Sequence, residues 1–203
     1  MFINEQLMIN CILTEDAMGD RRSIKTKCAI KHAFLKLLQE KEINKITVSD
    51  LSKEADIGRG TFYLHYKDVF DLYEQIEDEI FHQLGSIYDA SFPSDDPLNM
   101  LTFIEKTTEY IYQNIEIFTL LTKPKMNVLS INKLKEFFKT KMIEELSMMR
   151  QSAKSITETE KFETTFIVSG VVGIIEEWIN NGMIKTPAYI SNIIHQLLLK
   201  FED

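Results

Sequence analysis

Residues 45–68 read KITVSDLSKEADIGRGTFYLHYKD and contain the most informative local signals of the chain. Thr47, followed by an acid three residues later, is typical of a capping box, in which the hydroxyl accepts a hydrogen bond from an exposed amide of a new helix. A short helix over 48–55 is therefore predicted. Asp56-Ile57-Gly58 ends it, because Asp and Gly tolerate the left-handed backbone of a tight turn. A second short helix over 59–65 follows, and together they form a helix-turn-helix pattern.

The second short helix carries more polar and aromatic side chains than packing requires. Phe62 is enough to anchor it, with help from Leu64 or Tyr66. The other positions offer donors and aromatic surface outward: Arg59, Thr61, Tyr63 and His65. An arginine can hold guanine through two hydrogen bonds, and a threonine can meet a thymine methyl group or a phosphate. The pattern favours DNA contact, and a solvated helix in an ordinary bundle is the alternative.

A basic segment surrounds these helices. Residues 20–67 carry eleven Lys and Arg against six acids, a net charge of +5, whereas the whole chain carries −8. The preceding helix, predicted over 23–41, has an apolar face and, opposite to it, a lysine-rich face. This distribution indicates a phosphate-facing module on an acidic body.

Composition excludes several classes of protein. Gly (7) and Pro (4) are too few in 203 residues for a many-stranded sandwich or barrel, which needs frequent turns. The longest charge-free apolar run, 166–175, is ten residues long, far short of the roughly 18 that span a membrane. The N-terminus lacks the basic flank and apolar core of a secretory signal. Cys11 and Cys28 match no metal or redox spacing, which favours a reducing, cytoplasmic location.

Apolar periodicity and capping signals predict an all-α protein of about nine helices. Six helices are expected after the first three: a fourth over 68–89, a fifth starting at Asp96-Pro97, a sixth ending at Pro124, a seventh over 131–150, an eighth from the Thr157 capping box to Asn181-Gly182, and a ninth from Thr186-Pro187.

The stretch 22–82 closely resembles the DNA-binding domain of TetR-family transcriptional regulators, and the core Gly60-Thr61-Phe62-Tyr63-x-His65-Tyr66 carries the resemblance. The resemblance implies a homodimer whose recognition helices enter successive major grooves of a palindromic operator, usually repressing until a small-molecule effector binds. A further pattern, Gly170-x-x-Gly173 with Trp178 and Asn181-Gly182, is similar to regulators of dihydroxyacetone kinase operons.

The chain is expected to divide into three regions, the first of which shows no sustained apolar period. Residues 1–19 are expected to be a flexible extension, with Met18 as a candidate start. A helix-turn-helix DNA-binding domain is expected over 20–67, or to about 82 with the fourth helix. Residues 83–203 are expected to form a helical ligand-binding and dimerisation domain.

By position in the family pattern, the residues implied to contact DNA are Thr47, Ser49, Arg59, Gly60, Thr61, Tyr63, His65, Tyr66 and Lys67. Lys25 and Lys27 are added as possible phosphate contacts. The chain departs from the pattern twice: Asp56 stands where Gly is usual, and Val69 stands where many members have Lys.

Two sets of apolar residues in the C-terminal region are candidates for further roles. A pocket for an apolar or aromatic effector is expected among Phe103, Tyr110, Phe118, Phe138, Met142 and Trp178, with plain core packing as the alternative. A dimer interface is expected at Phe166, Gly170, Gly173, Ile174, Ile194 and Leu197, because glycines inside a helix permit close helix approach. Packing of the same helices within one chain is the alternative.

No catalytic or metal site is expected. His32, His82 and His195 have no Cys or carboxylate partner at metal spacing, and no nucleophile–base pair or Gly-rich phosphate loop is recognisable. The sequence therefore predicts a cofactor-free, dimeric, DNA-binding regulator that responds to an effector. The alternative is a TetR-like interaction module or activator that works through a partner protein and binds DNA weakly by itself.

Overall fold

The computed structural model describes residues 21–92, 99–121, 131–149 and 156–200. Several predicted features lie outside these ranges: the 1–19 extension with Met18, the Asp96-Pro97 helix start, Pro124, and the end of the seventh helix at residue 150.

The described residues form nine α-helices and no strand, which confirms the all-α prediction. In chain order they are α1 Arg21–Glu40, α2 Val48–Glu54, α3 Arg59–Tyr63, α4 Val69–Ser91, α5 Asn99–Gln113, α6 Ile115–Leu121, α7 Ile131–Met149, α8 Glu158–Asn180 and α9 Pro187–Leu199. A 3-10 turn, Ile43–Lys45, lies between α1 and α2.

The chain divides into two compact units. The first consists of Met1–Gln83 and Gln113–Val128, and the second of Leu84–Tyr112 and Leu129–Asp203. Helices α1, α2, α3 and α6 therefore belong to the first unit, and α5 (up to Tyr112), α7, α8 and α9 to the second. Helix α4 supplies residues to both. The sequence pattern did not indicate that α6 returns to the first unit.

The first unit is built around aromatic and aliphatic side chains from its short helices and from α1. The largest fully buried side chains are Ile30, Phe34 and Leu38 of α1, Leu51 of α2, Phe62 of α3, Leu72 of α4 and Phe118 of α6. In this core α2 contributes Leu51 and α3 contributes Phe62, and each packs with the larger apolar surface of the other helices.

Cys28 is buried in α1 and is disulfide-bonded. The spacing of the two cysteines did not predict this bond.

The second unit uses the predicted capping signals. Thr157 and Glu160 form a capping box at the start of α8, and Thr186 with Pro187 starts α9. Gly182 has φ +72°, the left-handed conformation that ends a helix, and the amide of Met183 donates to the carbonyl of Trp178 at 2.9 Å. These signals set both ends of α8 and the start of α9.

Candidate functional site

The start of α2 is held by a reciprocal hydrogen-bond pair. The Asp50 amide donates to the Thr47 hydroxyl at 3.2 Å, and the Thr47 amide donates to the Asp50 carboxylate at 3.0 Å. Lys41 Nζ also donates to that carboxylate at 2.8 Å, which ties the end of α1 to the first turn of α2. Lys41, together with the amide and hydroxyl of Thr47, lowers the pKa of Asp50 to about 2.

The turn between α2 and α3 depends on one left-handed residue. Asp56 has φ +52°, as the predicted turn requires. The amide of Ile57 then donates to the carbonyl of Ser52 at 2.9 Å. This geometry sets the direction in which α3 leaves α2.

Helix α3 has one buried side and one exposed side. Phe62 is fully buried, and its ring lies 5.6 Å from that of Tyr66. Arg59 and Gly60 are exposed, and Tyr63 is 58% exposed despite being aromatic. The arrangement presents a short helix with a cation, an open backbone position and a phenol on one accessible side.

Arg59 is oriented by a residue of α2. Its Nη2 atom donates to the Ser49 hydroxyl at 2.6 Å, and both residues are exposed. The contact joins two residues that the family resemblance implies both contact DNA. It holds the guanidinium against the start of α2 while leaving its remaining donors available.

Several of the lysines in the basic segment are paired with acids. Lys31 binds Glu79 at 2.7 Å, Lys36 binds Glu54, and Lys41 binds Asp50 at 2.8 Å. Lys45 lies 3.5 Å from Glu42. Three of these four acids are already counted in the net charge of +5, and only Glu79 lies outside residues 20–67. The exposed cations of the segment include Lys25, Lys53 and Lys67.

Tyr66 was predicted to contact DNA, but its side chain is buried. It is 2% exposed and packs on Phe62, so its role is to support α3. Thr61, His65 and Lys27 are half-buried, and Thr47 is exposed.

Sequence reasoning missed Lys53 and Leu64 as accessible residues next to this face. Leu64 is 80% exposed directly after Tyr63. At that exposure Leu64 does not anchor α3, so the prediction that it helps Phe62 to do so is wrong.

The second unit contains a cavity of about 230 Å³. Its lining is almost wholly apolar and comes from α4, α5, α7, α8 and α9. Three of the six predicted pocket residues line it: Phe103, Phe138 and Met142.

The other three predicted pocket residues lie elsewhere. Phe118 is buried in the first unit. Trp178 donates from Nε1 to the carbonyl of Lys185 at 2.9 Å and stacks on Tyr112, with ring centroids 6.2 Å apart. Tyr110 is half-buried in α5 and does not line this cavity. Helical periodicity identifies buried positions but does not say which neighbours they meet.

One face of α8 is exposed and apolar. Phe162 and Phe166 are 74% and 61% exposed. Gly170 is exposed and Gly173 half-buried, and a β-carbon added at either would meet nothing within 4 Å. Ile174 is half-buried, and Leu197 of α9 is 37% exposed.

Ile194 is fully buried within the chain, so its prediction as an interface residue is wrong. It packs inward at the fourth position from Ile190, which is also buried.

Among the residues that the structure describes, no group of three His, Cys, Asp or Glu side chains is placed to hold a metal ion. No helix in that part of the chain is long and apolar enough to cross a membrane.

Residues 99–200 match the TetR-type family model described as a transcriptional regulator C-terminal region. The HTH-type transcriptional regulator AcrR of Shigella flexneri is 30% identical over 79 residues, which are 37% of this chain and 36% of that protein. The curated relatives are matched over 25% and 36% of their own length.

Solved structures show the same fold. The regulator FadR from Bacillus subtilis in complex with stearoyl-CoA has a TM-score of 0.61 at 17% identity, over 84% of this chain and 96% of that one. The dihydroxyacetone kinase operon activator DhaS has a TM-score of 0.55 at 20% identity, over 86% of this chain and 94% of that one.

Proposed function

Because the chain belongs to the TetR family of transcriptional regulators, we propose that it is a dimeric repressor that binds a palindromic operator and responds to a small-molecule effector. Its relatives are transcriptional regulators rather than enzymes. A cytoplasmic location follows from the proposed DNA target.

The exposed side of α3 carries this proposal. Arg59, whose Nη2 donates to the Ser49 hydroxyl at 2.6 Å, is proposed to read guanine in the major groove. Thr61, Tyr63 and His65 are its neighbours for base or phosphate contacts, and Gly60 lets the backbone approach closely. Phe62 and Tyr66 hold the helix from beneath.

Phosphate contacts are proposed for groups around that side. The Thr47 and Ser49 hydroxyls lie at the start of α2, where backbone amides also favour an anion. Lys25, Lys27 and Lys67 supply positive charge, and Lys53 is added because it is exposed on α2. Such contacts fix the protein on the duplex without reading sequence.

Dimerisation is proposed through α8 and α9. The exposed apolar face of α8, with Phe166 and the two open glycines, is suited to close approach of a second copy. A twofold dimer uses the same patch on both subunits. Ile174 and Leu197 complete the proposed surface, and Ile194 supports it from within.

The effector site is proposed in the second unit's cavity, where Phe103, Phe138 and Met142 line an apolar space. The stearoyl-CoA complex of the structurally similar FadR supports ligand binding by a protein of this fold. Effector and operator would then be linked through α4, which supplies residues to both units.

The direct experiment is a gel shift with purified protein and the DNA upstream of its own gene. Wild type is expected to shift this fragment and not a shuffled one, and Tyr63→Ala is expected to lose the shift. A Thr107→Val protein, altered only in the second unit, is the matched control and should bind as wild type does. Absence of a wild-type shift on every fragment tested would contradict the proposal.

An activator that works through a partner protein is the second candidate. It is favoured by the pairing of Lys31, Lys36 and Lys41 with acids, which leaves less positive charge for DNA. The similar structure of DhaS, an operon activator, is a second support. The same gel shift separates the two functions, because the second predicts a specific complex only when a partner is added.

A further inference from the structure

Helix α3 has an exposed side that is largely apolar. Gly60, Tyr63 and Leu64 are all exposed, and spacings of three and four residues place them on one side of a helix. The helical backbone continues past the last residue of α3, because Leu64 has φ −71° and ψ −20° and the Tyr66 amide donates to the Phe62 carbonyl at 3.0 Å. Gly60, Tyr63 and Leu64 therefore form one continuous surface, which we call the α3 strip.

Leu64 is the least expected member of this strip. Among the described residues of the first unit it is the most exposed large apolar side chain, at 80%. The Tyr63 ring beside it meets the buried Phe62 ring edge to face, with centroids 5.6 Å apart. Single exposed apolar residues are common in proteins, so exposure alone assigns Leu64 no role. Its place in α3 and its surroundings do.

The α3 strip is flanked by exposed cations. Arg59 precedes it and Lys67 follows it along the chain, and both are exposed. The Asp68 carboxylate, next to Lys67, is occupied in capping α4, since it accepts hydrogen bonds from the amides of Phe70 at 2.8 Å and Asp71 at 2.9 Å. Positive charge beside an apolar surface suits a polyanion that carries apolar groups on its bases, and the operator duplex of the proposed function is such a partner.

Gly60 leaves room for that partner one helical turn before Leu64. A β-carbon added at Gly60 would meet nothing within 4 Å, so packing within the chain does not require a glycine there. The missing side chain lowers the surface beside Leu64 and lets Leu64 reach further into a groove. The major groove of B-DNA is wide enough to admit a helix.

The chemistry of leucine restricts what Leu64 can read. Its side chain has no donor or acceptor, so it cannot pair with the polar edges of bases or with phosphate oxygens. The one apolar feature that a base pair presents in the major groove is the C5 methyl group of thymine. Contact between this methyl group and Leu64 removes apolar surface of both from water, which favours binding.

We propose that Leu64 is a specificity-determining residue that packs against a thymine methyl group in each half-site of the operator, and so selects an A·T pair there. The inference rests on the proposed operator binding and deepens it by naming a base feature and the residue that reads it.

Replacing thymine by uracil removes this methyl group and keeps the base pairing. The DNA upstream of the gene is amplified once with dTTP and once with dUTP, and gel-shift titration with the full-length protein gives a Kd for each fragment. One methyl contact is worth about fourfold in affinity, so its loss from both half-sites should weaken wild-type binding by about fifteenfold. Synthetic duplexes with a single thymine-to-uracil change in each half-site then locate the contact.

Three variants assign this dependence to Leu64. Leu64→Ala shortens an exposed side chain, so its Tm should be unchanged, and its Kd values for the two fragments should agree within about threefold. Leu64→Met keeps a long apolar side chain and should keep most of the wild-type preference for thymine. Ile184→Ala is the matched control, because Ile184 is an aliphatic residue of the second unit with 84% exposure, and it should keep the whole preference.

Equal wild-type affinity for the two fragments would overturn the proposal, as would a thymine preference that survives Leu64→Ala. An equal loss of affinity by Leu64→Ala on both fragments would overturn it too, since that result places Leu64 against the sugar-phosphate backbone. Wild type that binds neither fragment would overturn operator binding itself, and the inference with it. Wild type that binds both fragments equally overturns only the inference, so the two failures are distinguishable.

Discussion

Arg59 is the residue whose surroundings bear most directly on base recognition. Its guanidinium is held by Ser49 and exposed at the start of α3. If it reads a base with two hydrogen bonds, Arg59→Ala should cost about 1–3 kcal/mol of operator binding and relax the preference at one base pair. Fluorescence anisotropy with single-base operator variants measures both.

Ser49→Ala is the matched change for this prediction, since it removes the positioning contact and keeps the guanidinium. Its loss of affinity should be smaller than that of Arg59→Ala. An Arg59→Ala protein with unchanged affinity and sequence preference would remove this residue from the recognition role.

Asp50 predicts a pH dependence of stability. Its pKa is about 2 in the folded protein, below the ordinary value of 3.8, because Lys41 and Thr47 favour the charged form. Its stabilising contribution is therefore present above about pH 4 and is lost as the pH falls toward 2. The difference in urea midpoint between wild type and Asp50→Asn should be constant from pH 7 to 5 and shrink below pH 4. A difference that grows on acidification would contradict this assignment.

At the scale of elements, the turn between α2 and α3 is strained at one residue. Asp56 has φ +52°, which Gly adopts without steric cost. Asp56→Gly should therefore be neutral or raise the free energy of unfolding by up to about 1 kcal/mol, whereas Asp56→Val should lower it by about 1–2 kcal/mol. Urea unfolding measures both, and a strongly destabilising Asp56→Gly would show that the carboxylate itself holds the turn.

The ends of these elements could be predicted because their signals are local. Thr47 with Asp50, Asp68 at the start of α4, and Thr157 with Glu160 each act within three residues along the chain. The helix-turn-helix and its hydrogen-bond donors could be predicted from residues 45–68 alone. The sequence therefore predicts the helices and the outward-facing positions of α3.

Contacts between distant residues could not be predicted in this way. Lys31 and Glu79 are 48 positions apart, and nothing in their spacing indicates an ion pair. Helical periodicity does not show which unit an apolar residue packs in, and Phe118 lies in the first unit. It also does not show whether an apolar residue packs within its own chain, as Ile194 does, or against a second copy. Orphaned groups such as the Thr107 hydroxyl depend on the packed structure.

At the scale of the whole molecule, the proposed dimer rests on one face of α8. A side chain added at Gly170 or Gly173 meets open space within the monomer, so leucine there should leave the fold intact. Gly170→Leu or Gly173→Leu should separate the subunits by preventing close approach, and a monomer should lose most operator affinity because linked half-sites no longer act together. Analytical ultracentrifugation measures the mass. Wild type that sediments as a monomer at micromolar concentration would overturn the dimer.

The central claim is that the exposed side of α3 reads an operator as part of a dimer. Hydroxyl-radical footprinting on the DNA upstream of the gene tests it most directly. Wild type should protect two half-sites related by twofold symmetry and centred about 34–36 Å, or a multiple of that distance, apart along the duplex, and Tyr63→Ala should abolish the protection while remaining a folded dimer. Protection that Tyr63→Ala retains in full, or no symmetric protection by wild type, would contradict the account.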